Sequence, residues 1–300
     1  MTQPRIGFIG IGMMGHGMAK NLLAKGFPLT FMVHRDRSRI ADLVALGAKE
    51  ARTPAQVAAQ SDVVILCVTG SPQVEQNVFG DDGLLGAARP GLTIVDTSTA
   101  EPGSTAKVRE ALGAKATTFV DAPLARTPKE AEEGRLNTMV GASEADFERL
   151  KPVFAAFCEN IFHVGPPGAG HTLKLVNNFM AMTIVASIAE AFAVAAKAGV
   201  KLDKLFEVVS QGAINSPIFQ MMAGGAVQRD FTRMKFAIQN APKDMRYYTH
   251  LAESLPVPSF LGEAVHQSYE LAVALGFGEK LVPSMIEAQE KLNGMQIVKR

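Results

Sequence analysis

Gly7-Phe8-Ile9-Gly10-Ile11-Gly12-Met13-Met14-Gly15 decides the fold of this chain. A short apolar run (Ile6, Phe8, Ile9) gives way there to a helical pattern (Met18, Leu22, Leu23), and three glycines stand at the junction. Gly10 permits the tight strand-to-helix turn, Gly12 lets backbone approach a pyrophosphate, and Gly15 lets helix and strand pack closely. The following helix offers unpaired N–H groups and a partial positive charge, both suited to phosphate. A lone Gly-x-Gly-x-x-Gly arises by chance in unrelated turns. The strand before it and the helix after it make this one a candidate dinucleotide site.

Outward from that turn the chain keeps alternating. Strands are expected at Leu29 to Val33, Val63 to Val68, Leu92 to Val95, Thr118 to Val120 and around Thr138 to Val140, with a helix at Ser38 to Leu46. Val63 to Val68 is almost wholly aliphatic, as a parallel strand covered on both faces must be. The alternation predicts an α/β fold with a Rossmann-type doubly wound parallel sheet. Gly165-Pro166-Pro167-Gly168-Ala169-Gly170 then breaks the pattern. From His171 to Val200 the sequence reads as one long helix, too apolar around its circumference for a surface and therefore a spine between domains or subunits. Beyond it the chain looks helical, with breaks at Gly212, Ser216-Pro217, Gly224-Gly225, Pro256 to Pro258 and Gly276 to Gly278. The expected division is an NAD(P)-binding domain over 1–165 and an all-helical substrate and dimerisation domain over 166–300.

Three hundred residues exceed one typical core and suit two domains. Thirty basic against 29 acidic residues give a net charge of +1. No long-range field therefore draws nucleic acid or a membrane surface, and a small-molecule partner is expected. Cys67 and Cys158 lie in apolar stretches and read as reduced core thiols of a cytoplasmic protein. No charged and then apolar leader precedes the first strand, and no uninterrupted apolar run reaches the roughly 18 residues of a membrane span.

An acidic residue at the end of the second strand holds the ribose hydroxyls of NAD, whereas an arginine there accommodates the 2′-phosphate of NADP. This strand ends in Val33-His34-Arg35-Asp36-Arg37. His34 takes the first polar position and Arg35 follows with a guanidinium fork for phosphate, so NADP is the expected cofactor. An inward Asp36 would admit NAD instead, and Arg35 with Arg37 can equally form a solvated loop.

Hydride transfer also needs a group that exchanges the alcohol proton. Lys174, Asn177 and Asn178 open the long helix at spacings of three and four, on one face. An ammonium and two amides on an otherwise apolar helix are costly unless they face a wet cavity, and burial there draws a lysine toward useful proton exchange. The plain alternative is a lysine reaching solvent, with the asparagines as interdomain glue. His16, His163 and His171 lack acidic or thiol partners at ligand spacing, so they read as loop or helix residues and no metal is expected.

On these residues the chain resembles the β-hydroxyacid dehydrogenase family, which is 3-hydroxyisobutyrate dehydrogenase-like, almost end to end. The resemblance runs through Gly7 to Gly15 with Met18-Ala19-Lys20-Asn21-Leu22, then Asp96-Thr97-Ser98-Thr99 followed by Pro102, and Asp121-Ala122-Pro123. It continues through Gly134 with Met139-Val140-Gly141, Gly168 through Lys174 to Asn177-Asn178, and Lys243-Asp244. The resemblance implies an NAD(P)-dependent oxidoreductase in which Lys174 is the acid/base. It implies that Asn178, beside Asn177, orients substrate or lysine, and that Ser98 and Thr99 sit by the nicotinamide and the reacting carbon. Met13, Met14 and Val68 then join Gly10, Gly12 and Gly15 at the cofactor, with Lys243 lying against it. The carboxy-terminal helices complete a cleft with a partner subunit, in a homodimer or homotetramer.

Most members follow Asp-Ala-Pro with a Ser-Gly-Gly turn that clasps the substrate carboxylate through backbone amides. This chain has Leu124-Ala125-Arg126-Thr127-Pro128. Arg126 supplies an anion-binding fork and Thr127 a hydroxyl, a pairing similar to the sulfolactaldehyde reductase branch, although Ala181 stands where that branch offers a serine. Alternatively, Arg126 pairs with Glu130 or Glu133. Substrates stay open among small anionic aldehydes and their 3-hydroxy acids: sulfolactaldehyde, succinic semialdehyde, tartronate semialdehyde and methylmalonate semialdehyde. One rival, 6-phosphogluconate dehydrogenase, has a much longer carboxy-terminal half and a lysine followed by a His-Asn-Gly segment, and this chain has neither. Two others are an imine reductase-like enzyme, whose group carries Asp or Tyr where Lys174 stands, and a catalytically silent NADP-binding scaffold. The retained lysine counts against both.

Overall fold

The computed structural model describes residues 3–33 and 37–298. The chain forms two compact units, Met1–Lys174 and Leu175–Arg300.

The strands of the first unit are β1 (Ile6–Ile9), β2 (Leu29–Met32), β3 (Lys49–Glu50), β4 (Val63–Leu66), β5 (Thr93–Asp96), β6 (Thr118–Asp121), β7 (Leu124–Ala125), β8 (Leu136–Gly141) and β9 (Cys158–Gly165). Its helices are α1 (Met13–Ala24), α2 (Ala41–Ala45), α3 (Pro54–Ala59), α4 (Ser71–Phe79), α5 (Pro102–Gly113), α6 (Pro128–Glu132) and α7 (Glu144–Phe154), and α8 (Ala169–Lys197) begins here. One sheet runs in the order β3-β2-β1-β4-β5-β6-β8-β7, with β9 on β8. β1 is buried at every position and pairs in parallel with both β2 and β4. Side chains alternate between two cores: Phe8 joins Met18 and Leu22 of α1, while Ile9 joins Val57 of α3 and Val74 of α4.

Parallel pairing aligns the carboxyl ends of the central strands. Ile9 stands opposite Leu66, Leu66 opposite Asp96, and Asp96 opposite Asp121. In open α/β sheets, ligands bind just outside this edge.

The sheet is parallel-dominated rather than wholly parallel. Asp121 pairs antiparallel with Gly141, and Leu124 with Thr138, so β6 and β7 form nearly one line against β8. The connection from Ala125 to Leu136 is too short for a parallel crossover, which needs a dozen or more residues. β3, β7 and β9 escape the sequence reading for local reasons. β3 is two exposed charged residues at an edge, and β9 interleaves Glu159, Asn160 and His163 with its apolar positions.

The break near residue 166 marks where α8 begins, but the compact units divide nine residues later. The Asp121 carboxylate accepts the N–H groups of Gly168 (2.6 Å) and His171 (2.9 Å), which fastens the first turn of α8 to the end of β6.

The second unit holds the remainder of α8 with α9 (Leu202–Ser210), α10 (Pro217–Val227), α11 (Ala241–Ser254), α12 (Phe260–Ala272) and α13 (Met285–Asn293). Val185, Met222, Met245, Tyr269 and Ile286 form its core. Gly224-Gly225, expected as a break, lies inside α10. A Cβ on Gly225 would stand 2.5 Å from the Asp230 carbonyl oxygen, so this glycine serves close approach of backbone rather than a turn.

Counting uninterrupted apolar residues understates α8. Its 29 residues include an 18-residue stretch of mean hydropathy 1.9, which meets the length and composition of a membrane span, and only a third of that stretch is buried. Isolated Asn, Thr and Ser residues interrupt the run without lowering the mean much.

Candidate active site

The glycine turn joins β1 to α1. Gly10 has φ +107°, and a Cβ there would stand 2.2 Å from the Cys67 carbonyl oxygen; on Gly15 it would stand 2.0 Å from that of Gly10. Around Gly12 a Cβ would meet nothing within 4 Å. α1 begins here with no side-chain cap and no acidic residue in its first turn. Open space above a bare helix N-terminus fits a pyrophosphate. Met13 is exposed and Met14 half-buried beside it. His34 and Arg35, the sequence candidates for the ribose phosphate, lie outside the described residues, as does Asp36. Arg37 grips Glu50 of β3 through two hydrogen bonds of 2.8 Å.

The loops after β4 and β5 are tied together. The Val68 N–H donates to Ser98 Oγ at 3.0 Å, and the Thr97 hydroxyl donates to the Leu66 carbonyl at 2.7 Å. Ser98 is buried and Thr99 half-buried. Behind them lies an assembly that the spacing of residues did not reveal. Buried His171 places Nδ1 2.6 Å from Thr105 Oγ1 of α5 and Nε2 3.7 Å from Asp96 Oδ2. Burial pushes the Asp96 carboxyl above the usual carboxylate range, against the pull of His171 and of its hydrogen bonds with Ser98, while the Asp121 charge adds to the rise. Lys174 follows His171 by three residues on α8 and is half-buried. The available sequence signal was two acidic residues ending adjacent strands.

All three histidines without acidic partners at ligand spacing in the sequence have them in space. His16 lies between Glu132 (Nδ1, 2.5 Å) and Asp42 (Nε2, 3.0 Å), and His163 meets Glu144 at 3.1 Å while stacking on Phe147. These partners come from other elements, which spacing along one segment cannot show. Among the described residues no group of three or more His, Cys, Asp or Glu side chains could hold a metal ion.

Arg126 adopts φ +82°, a left-handed conformation that favours glycine. Its guanidinium reaches Glu159 of β9 and the Arg135 carbonyl, so neither Glu130 nor Glu133 is its partner. Thr127 caps α6: its hydroxyl donates to Glu130 at 2.5 Å, and its N–H donates to the same carboxylate at 3.0 Å. Both thiols are free, and burial pushes Cys67 up to about 11, against a hydrogen bond with Thr97.

In the second unit the Asn178 side-chain amide donates to Asp244 Oδ2 at 2.7 Å, and the Lys243 ammonium donates to Oδ1 at 2.6 Å. Lys243 also lies 4.8 Å from the centre of the Tyr247 ring. Asn177 is exposed, and its amide lies 3.3 Å from Asn178 Oδ1. Asp244 is the link that the sequence reading left without a role.

Residues 5–165 match the family described as the NAD binding domain of 6-phosphogluconate dehydrogenase, and residues 168–288 match NAD-binding of NADP-dependent 3-hydroxyisobutyrate dehydrogenase. The 2-(hydroxymethyl)glutarate dehydrogenase of Eubacterium barkeri is 32% identical over 293 residues, which is 98% of this chain and 97% of that one. The chain belongs to the β-hydroxyacid dehydrogenase family. The 2-hydroxy-3-oxopropionate reductase of Escherichia coli is 34% identical across 84% of this chain and 85% of its own. The crystal structure of a 3-hydroxyisobutyrate dehydrogenase from Salmonella typhimurium is similar with TM-score 0.80 at 30% identity, covering 94% of this chain and 99% of that one. As a member of the β-hydroxyacid dehydrogenase family, the protein is an NAD(P)-dependent oxidoreductase of hydroxyl or aldehyde substrates.

Proposed function

We propose that this β-hydroxyacid dehydrogenase reduces small aldehydes bearing a second, anionic group, prefers NADPH, and uses Lys174 as its acid/base. One observation carries the reading: Lys174 stands one helical turn beyond His171, whose ring and N–H are anchored at the carboxyl ends of β5 and β6. When bound, the nicotinamide cofactor supplies the hydride, or accepts it in the reverse direction. The Lys174 ammonium stabilises the growing alkoxide and delivers a proton from Nζ. Ser98 and Thr99 border the same edge, and Asn178, held by Asp244, orients the reacting oxygen or the lysine. Arg35 is the candidate for the 2′-phosphate of NADP, because Arg37 is engaged with Glu50. For Arg126 and Thr127, a substrate anion has to compete with Glu159 and Glu130. The two free thiols suit a reducing, cytoplasmic setting.

The test follows NADPH absorbance against sulfolactaldehyde, succinic semialdehyde, tartronate semialdehyde and methylmalonate semialdehyde, with 2-(hydroxymethyl)glutarate assayed as the alcohol, and repeats each with NADH. Lys174→Ala should lower kcat by about 10²–10⁴-fold while NADPH binding, read by fluorescence, persists. A wild-type protein that binds NADPH and turns over none of these would favour the silent scaffold.

A further inference from the structure

His16 closes the first turn of α1, directly after the glycine turn, and its N–H donates to the Gly12 carbonyl at 3.0 Å. Its side chain is 14% exposed and engaged on both sides: Nδ1 meets Glu132 of α6 at 2.5 Å, and Nε2 meets the two oxygens of Asp42 of α2 at 3.0 and 3.2 Å. A neutral imidazole has one N–H and can donate to only one of these carboxylates, whereas the imidazolium donates to both. The two neighbouring helices depend on the ring unequally. α6 is also seated on α1 through backbone: a Cβ on Gly17 would stand 2.4 Å from the Ala131 carbonyl carbon, and the Asn21 amide donates to the Ala131 and Glu132 carbonyls. α2 has five residues with only Leu43 buried, and its one ionisable side chain, Asp42, is the one that His16 holds.

We propose that the His16 imidazolium is a positioning residue for the dinucleotide. It sets α2, which follows the strand end where a Rossmann sheet holds the adenosine ribose, against α1, whose N-terminus is the candidate for the pyrophosphate, and it offsets two carboxylates that would otherwise repel that anion. The inference rests on the glycine turn as the dinucleotide site and is independent of the role of Lys174. Around the ring, β2 carries no ionisable residue, and Lys20 of α1 lies 3.4 Å from the second Glu132 oxygen. The other acids of α6 and its end are engaged, Glu130 with Thr127 and Glu133 with Lys129 and Arg135. Burial works against a charged ring, but the hydrogen bonds of Glu132 and Asp42 outweigh it and raise the His16 pKa.

The test is NADPH affinity, read by fluorescence on folded wild type, His16→Gln and His16→Arg from pH 6 to pH 9. Each variant is compared with wild type at the same pH, so titration of the 2′-phosphate cancels. At pH 6 His16→Gln should raise Kd about fivefold, and the gap should close to within about twofold at pH 9, where the wild-type ring has lost its proton. His16→Arg keeps a charge and several donors, so it should stay within about twofold of wild type at pH 6 and bind more tightly than wild type at pH 9. By reciprocity, NADP+ should move the titration of the wild-type His16 ring, followed by NMR, to higher pH, a measurement that needs no variant. Unchanged affinity in His16→Gln at pH 6, a ratio that stays constant to pH 9, or a His16 titration that NADP+ leaves in place overturns the inference. Wild-type NADPH affinity in Gly12→Val overturns the glycine turn as the site instead.

Discussion

Asp244 takes the side-chain amide of Asn178 on one carboxylate oxygen and the Lys243 ammonium on the other, at 2.7 and 2.6 Å. The carboxylate is 2% exposed, whereas the lysine is partly open to solvent. Removing the acid leaves one buried amide without its acceptor and takes the carboxylate from beside a half-screened cation. An unsatisfied buried group costs about 1–3 kcal/mol, and partial solvation of Lys243 holds the charge contribution to the low end of its range. Asp244→Ala should destabilise the protein by about 2 kcal/mol in denaturant unfolding and lower kcat/KM for aldehyde reduction. Asp244→Asn keeps an acceptor for Asn178 but loses the ion pair, so it should fall between the two.

How far such a network can be read from sequence depends on whether its members share a segment. Gly10, Gly12 and Gly15 announce their turn because the strand, the glycines and the helix are contiguous, and the central strands are legible because burial on both faces leaves uninterrupted aliphatic runs. Lys174 and Asn178 stand out as polar residues on an apolar helix. Asp96, Asp121 and His171 are far apart in the chain, and the parallel register that sets Asp96 opposite Asp121, with the His171 N–H bound to Asp121, brings them together. β3 and β9 are hidden for a different reason: their charged residues are tolerated at the margins of the sheet, where one side is wet.

Arg126 combines a left-handed backbone with an ion pair, and the two effects oppose each other. A non-glycine residue in that conformation costs about 1–2 kcal/mol, while a partly exposed ion pair contributes about 0–1 kcal/mol. Arg126→Gly removes both, so its thermal midpoint should stay near that of the wild type, whereas Arg126→Ala keeps the strain and should melt lower. If the guanidinium leaves Glu159 for the substrate's anion, both variants raise KM for the preferred aldehyde with little change in KM for NADPH. An unchanged aldehyde KM would make Arg126 a clamp between β7 and β9.

The His16 ring links three helices through carboxylates on both of its nitrogens, Glu132 from α6 and Asp42 from α2. Only the imidazolium donates from both nitrogens. Burial lowers its pKa, but the hydrogen bonds and charges of Glu132 and Asp42 outweigh that, and the net shift is upward. Because the folded value lies above the unfolded one, the stabilisation is fully present below about pH 6.5 and is lost as pH rises through the folded value. The melting temperature of the wild type relative to His16→Gln should therefore fall across that alkaline-going window. A constant difference from pH 5.5 to 9 would show that the ring is not charged in the folded protein.

Leu173, Met180, Ile184 and Val194 are 37–65% exposed along α8. At 100° per residue, offsets of 7, 11 and 21 positions return to within about 60° of the first, so the four form one stripe on the helix. An exposed apolar stripe, interrupted by Asn177 and Ser187, on an already long, apolar helix calls for a cover, and a second copy of the same chain would supply a self-complementary one. Light scattering should accordingly give a particle of two or four 32.0 kDa chains in detergent-free buffer. Met180→Glu combined with Val194→Glu should shift it toward the single chain. A wild type that is monomeric, or that stays dispersed only with detergent, would assign the stripe to another partner or to lipid.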